Sequence, residues 1–283
     1  ALLLSILSLA AAVMLGMLMA RGYASGLSIP YTRLATAHIS LALGGWVMLL
    51  IIGVSYQVVP MFQLTPNYPK WLTVNLTPAI FAALLLSLIP LLFETAPRWP
   101  GIIAEIIFWL FAICYAVVTL KLQSQRRRRV PDATLSFFRL GMLALLVAAL
   151  FSLASLLSPA YSEHLRTLSA LTFLLGFAMS VIQGMLYKII PFLVWFHLFR
   201  GGASAIKAGI PNMKEIIPER WMWWHLWLHG ATLLAALLAT RLDMAAWLVM
   251  LGLLLQGILL GYANFTGITV YRNTLRRIEQ TST

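Results

Sequence analysis

The chain has 283 residues, of which 61% are hydrophobic and only 10% are charged, and its formal net charge is +12. An ordinary soluble domain carries about 25% charged residues. The low charge excludes a soluble globular enzyme, a disordered tail and a fibrous repeat. Continuous apolar runs of about 20 residues predict an all-α polytopic membrane protein, because a β-barrel would show short alternating segments instead.

Hydropathy and helix-breaking residues divide the chain into about eight transmembrane helices. Their predicted bounds are 1–20, 34–60, 72–93, 101–121, 136–158, 167–192, 221–240 and 244–270. Proline-containing linkers follow the second and third spans, and four consecutive arginines at 126–129 follow the fourth. An even number of spans places both termini on the same side of the membrane.

The basic residues are divided unequally between the two sides of this topology. Fifteen of the 20 Lys and Arg residues lie on the side of the 126–129 run, and the other five are Arg21, Arg33, Arg98, Arg166 and Arg241. Cytoplasmic loops are enriched in Lys and Arg. The split therefore predicts cytoplasmic termini, and we expect a bacterial inner-membrane protein. Orientation in the lipid bilayer accounts for the positive charge, so no nucleic-acid partner is expected.

The second and sixth spans match without gaps at an offset of 131 residues. Seven of the 20 positions from 43 to 62 are identical, including Gly45 with Gly176, Tyr56 with Tyr187 and Pro60 with Pro191. The match predicts two parallel four-helix repeats, 1–135 and 136–283, the second ending in a cytoplasmic tail. At about 100° per residue, His38, Gly45 and Tyr56 share one helix face. Small residues there favour either close helix contact or close approach of a flat ligand.

Histidines within apolar spans are candidates for function, because ionisable groups in a membrane are costly. His38 lies one turn into the second span, near its outer end. A neutral imidazole there is either a hydrogen-bonded core residue or a metal ligand. His164 lies at the outer end of the sixth span, about 7.5 Å outward of His38 in the repeat alignment.

The segments around His38 resemble a known family. Thr36-Ala37-His38, a glycine-spaced apolar helix, Val58-Val59-Pro60-Met61 and Pro66-Asn67-Tyr68-Pro69 are similar to the second span of haem–copper oxidase subunit I. Arg33, and Gly184-Met185-Leu186-Tyr187 leading to Pro191, are similar to its nitric-oxide-reductase branch. The resemblance implies a haem b with His38 as axial ligand. His164 is then the candidate second ligand, Arg33 lies near the propionates, and Gly45 and Tyr56 are on the haem-facing side.

The chain departs from the family pattern at three places. Residues 169–173, which align with the copper-ligand region of the sixth span, contain no histidine. The seventh span has no adjacent His-His pair, and with eight spans the haem ligands of a tenth span have no counterpart. The resemblance therefore implies a shortened, divergent member that holds one haem, rather than an oxygen-reducing haem–copper centre.

Three further histidines, His197, His225 and His229, lie near the predicted cytoplasmic surface. His225 and His229 are four residues apart, on one face of the seventh span. The three could bind copper or zinc, ligate a second haem, or belong to an interfacial belt of Trp and His. Among the other charged residues within the membrane, Glu105 is a single acid, and a single acid does not make a proton relay. Lys188 is expected to reach a lipid phosphate or a haem propionate.

These features lead to one main interpretation and two alternatives. The main one is an integral membrane, cytochrome b-like haem protein. It would act as an electron-transfer or accessory subunit beside a redox partner or other membrane subunits. The alternatives are a cofactor-free structural subunit of a membrane complex, and a transporter of small solutes or metals. The sequence contains no phosphate-binding loop and no HExxH motif, which argues against a nucleotide-driven enzyme.

Overall fold

A computed structural model describes residues 1–93, 95–127, 130, 132–199 and 209–282 of the chain. Within these residues there are eight long helices: α1 (Leu2–Ser25), α2 (Tyr31–Gln63), α3 (Lys70–Leu92), α4 (Trp99–Ser124), α5 (Ala133–Leu157), α6 (Pro159–Phe199), α7 (Glu219–Ala239) and α8 (Met244–Ser282). Each is long and apolar enough to cross a membrane, and the described residues contain no strand. The predicted all-α polytopic membrane fold is confirmed.

Several helices extend beyond their predicted apolar spans, and α2, α6 and α8 are examples. α2 begins at Tyr31 rather than 34, α6 begins at Pro159 rather than 167, and α8 continues to Ser282 rather than ending at 270. The additional turns carry polar residues, so hydropathy alone does not detect them. Backbone hydrogen bonding continues where the apolar stretch ends. The predicted C-terminal tail is therefore a continuation of α8 as far as Ser282.

Both α2 and α6 contain a π-helical segment, in which backbone hydrogen bonds span five residues instead of four. The segments are Leu41–Val47 and Thr172–Met179. Their first residues are 131 apart, which is the offset of the predicted repeat. A π-helical turn is wider than an α-helical turn, so each residue within it advances through less than 100°.

The π-helical segment of α2 separates His38 from Tyr56. Uniform helical spacing places these two side chains on one face. In the structure, His38 hydrogen-bonds to the carbonyl of Ala12 in α1, whereas the Tyr56 hydroxyl donates to the carbonyl of Leu72 in α3 at 3.3 Å. The two side chains therefore contact different helices, which uniform spacing does not predict.

Positions related by the 131-residue offset make related hydrogen bonds. His38 lies on α2 and bonds to the carbonyl of Ala12 in the preceding helix, α1. Its counterpart Ser169 lies on α6 and donates to the carbonyl of Ala148 in the preceding helix, α5, at 2.8 Å. The correspondence supports two related halves, and their superposition remains a prediction.

The helices form two compact units whose bounds differ from those of the predicted repeats. Unit 1 comprises Ala1–Arg129 and Met142–Leu174, and unit 2 comprises Val130–Gly141 and Leu175–Thr283. Both α5 and α6 contribute a segment to each unit. The predicted boundary near residue 135 therefore describes sequence similarity, whereas the compact units describe packing.

In unit 1, buried hydroxyl groups link α4 to α2 and to the segment that follows α2. Tyr115 donates to Ser55 Oγ at 2.9 Å, and the Tyr68 and Thr119 hydroxyls are 3.0 Å apart. All four side chains are buried. Water is absent from a bilayer core, so buried hydroxyls must bind one another or the backbone.

In unit 2, an apolar core surrounds the inner part of α6. Its buried members are Ala133, Phe137, Tyr187, Ile216, Ile217, Met222, Leu226 and Ala263. Gly184 lets α6 approach this core closely, because a Cβ at Gly184 would lie only 2.6 Å from Phe137 Cβ.

The membrane orientation is tested by cysteine accessibility. In a Cys114→Ala background, Arg98→Cys and Arg241→Cys should react with a membrane-impermeant maleimide applied outside the cell. Arg126→Cys should react only after the membrane is permeabilised. The reverse labelling pattern would overturn the cytoplasmic placement of the termini. Arg128, Arg129, Arg200 and Lys207, which contribute to the charge split, lie outside the described residues.

Candidate functional site

The imidazole of His38 is held by the backbone of α1. Its Nδ1 lies 2.8 Å from the carbonyl oxygen of Ala12. A carbonyl oxygen only accepts hydrogen bonds, so Nδ1 carries the proton and donates it. In the neutral ring Nε2 then keeps its lone pair. Nε2 has no hydrogen-bond partner among the described residues.

Two glycines lie at the contact between α1 and α2. A Cβ at Gly16 would lie 3.2 Å from His38 Cε1, and a Cβ at Gly45 would lie 2.5 Å from Ser8 Oγ. Gly45 therefore serves close helix contact, the first of the two alternatives for its face. Tyr56, predicted beside the same ligand, instead bonds to α3 and packs edge-on against Tyr68, with ring centroids 5.1 Å apart.

A large cavity lies within unit 1, and its lining includes Arg33 but neither His38 nor His164. Arg33 and His38 are five residues apart, which is about 140° around an α-helix. This separation explains why Arg33 lines the cavity while His38 contacts α1. His164 is half-buried on α6, two residues before the cavity residue Arg166. The cavity and His38 are therefore separate features of unit 1.

The cavity has a volume of about 730 Å³ and is lined by residues of α2, α3, α4, α5 and α6. Its charged residues are Arg33, Arg98, Glu105 and Arg166. The sequence interpretation missed this site, because the lining residues come from five helices whose arrangement it does not specify. The available signals were three arginines assigned to the same membrane side and the intramembrane Glu105.

The inner histidines of α7 are fully buried in unit 2. His229 Nδ1 lies 2.7 Å from Gln256 Oε1, an atom that only accepts, so Nδ1 is protonated. His229 Nε2 then accepts from the Ser180 hydroxyl at 2.8 Å. Both ring nitrogens of His229 are therefore occupied within the protein.

His225 is only partly satisfied. Its Nδ1 lies 2.6 Å from the Tyr187 hydroxyl oxygen, whereas its buried Nε2 has no hydrogen-bond partner among the described residues. Phe137 packs edge-on against the same ring at a centroid distance of 5.5 Å. Of the two α7 histidines, only His225 retains a nitrogen without a partner.

The structure does not gather the three inner histidines into one metal-binding group. His197 is exposed, and its Nδ1 donates to the Leu193 carbonyl at 2.8 Å. Across the described residues, no three His, Cys, Asp or Glu side chains lie close enough together to hold a metal ion. A copper or zinc site at His197, His225 and His229 remains a sequence-based hypothesis, with the Nε2 of His225 as its one available buried nitrogen.

Lys188 pairs with a carboxylate of its own unit. Its Nζ lies 2.8 Å from Asp132 Oδ2, while Asp132 Oδ1 accepts from the backbone N–H and the hydroxyl of Thr134 at the start of α5. Lys188 was expected to reach a lipid phosphate or a haem propionate, and in the structure it binds the Asp132 carboxylate instead. Burial raises the pKa of Asp132, but the bonds from Lys188 and Thr134 outweigh burial and hold it below the ordinary value of 3.8.

Removal of the Tyr187 hydroxyl tests the polar cluster of unit 2. Tyr187→Phe leaves both nitrogens of the buried His225 without partners, so we expect a loss of about 1–3 kcal/mol in unfolding free energy. Thermal unfolding in detergent micelles measures the loss. Tyr56→Phe is the matched control, because its hydroxyl bonds at 3.3 Å to a carbonyl from a half-buried position. Equal destabilisation by the two changes would contradict the structural importance of the Tyr187–His225 bond.

The Asp132–Lys188 pair predicts a pH dependence of stability. Because folding lowers the pKa of Asp132, the stabilisation is present above the ordinary Asp pKa and is lost as the pH falls below it towards the folded value. Asp132→Asn should lower the melting temperature at pH 7 and flatten its decline between about pH 5 and pH 2. Asp243→Asn, at an exposed position, is the control. Parallel melting curves for wild type and Asp132→Asn across this range would refute the prediction.

Comparisons with known proteins found no match. The chain matches no protein-family model, no curated protein and no solved structure. The eight apolar helices establish an integral membrane architecture. The basis for assigning a function is accordingly the geometry of the chain's own polar residues.

Proposed function

We propose that the chain is an integral membrane, cytochrome b-like haem protein in which His38 is an axial ligand. The observation that carries the proposal is the state of the His38 ring: Nδ1 donates to a backbone carbonyl, and Nε2 has no partner among the described residues. Histidines that bind metals commonly donate their other ring N–H to a carbonyl or carboxylate, which fixes the tautomer and the ring orientation.

Local helix structure also supports the proposal. The π-helical segment of α2 begins three residues after His38, at Leu41. π-Helical turns within α-helices are frequent at functional sites. The sequence segments around His38 that resemble haem–copper oxidase subunit I provide a second, independent line of support.

The residues of this chain would hold and orient such a group. The Ala12 carbonyl keeps the His38 proton on Nδ1, and Gly16 lets α1 pack closely against the Cε1 edge of the ring. A haem held by His38 would supply one-electron transfer. That chemistry fits an electron-transfer or accessory subunit working beside a redox partner or other membrane subunits. His164 remains the candidate for the second axial position.

The unit 1 cavity does not fit a haem with a protein axial ligand. Among the residues that the structure describes, its lining includes no His, Cys, Met, Tyr or Lys side chain. Arg33, expected to lie near the propionates, faces this cavity rather than the His38 side of α2. The haem at His38 would therefore lie by the α1–α2 contact and not in this cavity.

Absorption spectroscopy of the purified full chain tests the proposal. We expect a Soret band and a dithionite-reduced minus oxidised difference spectrum of b type. His38→Ala should abolish both signals, because no other group replaces the Nε2 ligand. The variant should still be recovered from the membrane fraction in comparable amount.

His197→Ala is the matched control, since His197 is exposed and its Nδ1 bonds to its own helix. This variant should keep the full spectrum. His164→Ala should alter the spectrum if His164 is the second ligand, and an unchanged spectrum would remove His164 from the site. A colourless wild-type protein, or an unchanged His38→Ala spectrum, would refute the proposal and favour the cofactor-free subunit.

A further inference from the structure

The arginines of the unit 1 cavity lie at helix beginnings. Arg98 directly precedes α4, Arg33 is the third residue of α2, and Arg166 lies in the first part of α6. Trp109, deeper on α4, is about 15 Å along the axis from the start of that helix. The cavity therefore extends from a charged mouth to about half the depth of a hydrocarbon core, which is about 30 Å thick.

Arginines outnumber acids among the described residues that line the mouth. Glu105 is the one acid in that set, and its carboxylate is already engaged: Arg166 lies 3.6 Å from Oε2, and the Ser152 hydroxyl donates to Oε1 at 3.0 Å. The guanidinium groups of Arg33 and Arg98 add two further positive charges around the same space. Arginine presents several N–H donors in a planar arrangement that suits carboxylate and phosphate groups.

The floor is apolar and aromatic. Phe108 and Trp109 pack edge-to-face at a centroid distance of 5.3 Å, and Trp109 packs similarly against Phe173 at 6.3 Å. Gly44 completes this part of the lining, because any Cβ there would lie 3.1 Å from Phe108 Cζ. Below Glu105 on α4, the described lining of the cavity carries no charged side chain.

We propose that this cavity binds an acidic amphiphile, with its phosphate or carboxylate head at the three arginines and its apolar chain on the aromatic floor. A small inorganic anion would leave the apolar floor unfilled. A neutral apolar molecule would offer the arginines no charge-assisted contact. The volume of about 730 Å³ lies within the usual range of ligand sites.

The bound molecule is distinct from the haem proposed at His38, because the described part of the cavity lining supplies no axial ligand. Two sources share the required chemistry: an anionic phospholipid of the surrounding bilayer and a free fatty acid. Phosphatidylglycerol and oleate represent these sources. Phosphatidylcholine, whose head group has no net charge, tests whether the charge matters.

Native mass spectrometry of the full chain in detergent, titrated with each of the three molecules, measures binding. Wild type should form a one-to-one adduct with phosphatidylglycerol, oleate or both, in preference to phosphatidylcholine. Arg98→Gln should weaken the adduct about tenfold, as expected for the loss of one charge-assisted contact. Arg21→Gln, which removes an exposed arginine of unit 1 outside the cavity lining, should have no effect.

Two further variants separate binding from folding defects. Glu105→Gln should tighten the adduct, because it removes the carboxylate that competes for Arg166. A folding defect would weaken it. Ala170→Trp, which adds bulk to the cavity wall without changing charge, should abolish the adduct.

The head-group preference identifies the source. Phosphatidylglycerol alone indicates a bilayer lipid, and oleate alone indicates a free acid. Equal binding of phosphatidylcholine, or equal binding by Arg98→Gln, Arg21→Gln and wild type, would overturn the proposal. Haem spectra of the same preparations report on His38 independently, so either proposal can fail without the other.

Discussion

Inside a bilayer a polar side chain cannot bind water, so each one must find its partner within the protein or bear the cost of having none. This constraint accounts for most of the polar geometry of the chain. His38 is tied to the Ala12 carbonyl, and His229 lies between Ser180 and Gln256. Lys188 meets Asp132 near the start of α5. Each contact links a helix to a neighbour within its own unit.

Because of the same constraint, a histidine nitrogen without a hydrogen-bond partner is a candidate site for a ligand. His38 and His225 each use Nδ1 in a hydrogen bond and leave Nε2 without a partner among the described residues. The His38 nitrogen belongs to a ring that is half-buried, whereas the His225 nitrogen is fully enclosed. A group as large as a haem is easier to accommodate beside the half-buried ring. For this reason the haem proposal rests on His38 rather than on His225.

The sequence predicted the helical membrane fold well, because about 20 apolar residues in succession have few other stable arrangements. It also predicted related positions in α2 and α6, where the two π-helical segments begin 131 residues apart. It could not predict which face of α2 meets which neighbour. Glycine at position 45 suits a packed helix and a flat ligand equally, and only the position of Ser8 shows that a helix is there.

The cavity of unit 1 was beyond sequence reasoning for a related reason. Arg166 is far from Arg98 and Glu105 in the chain, and each of the three has an ordinary explanation on its own: two interfacial arginines and one isolated acid. Their common site follows only from the packing of α4 and α6. The inner histidines illustrate the opposite case. Spacing alone suggested a shared metal, but both nitrogens of His229 are already bound within the protein.

The π-helical segment of α2 constrains how many residues the helix can contain at that point. Residues 41–47 form wider turns than an α-helix. Loss of one residue from this segment would allow ordinary α-helical hydrogen bonding to continue through it. The helix on one side would then rotate by about 100° relative to the other. His38 would turn away from α1, or Tyr56 away from α3. In this segment the number of residues constrains the protein more tightly than the identity of any apolar side chain.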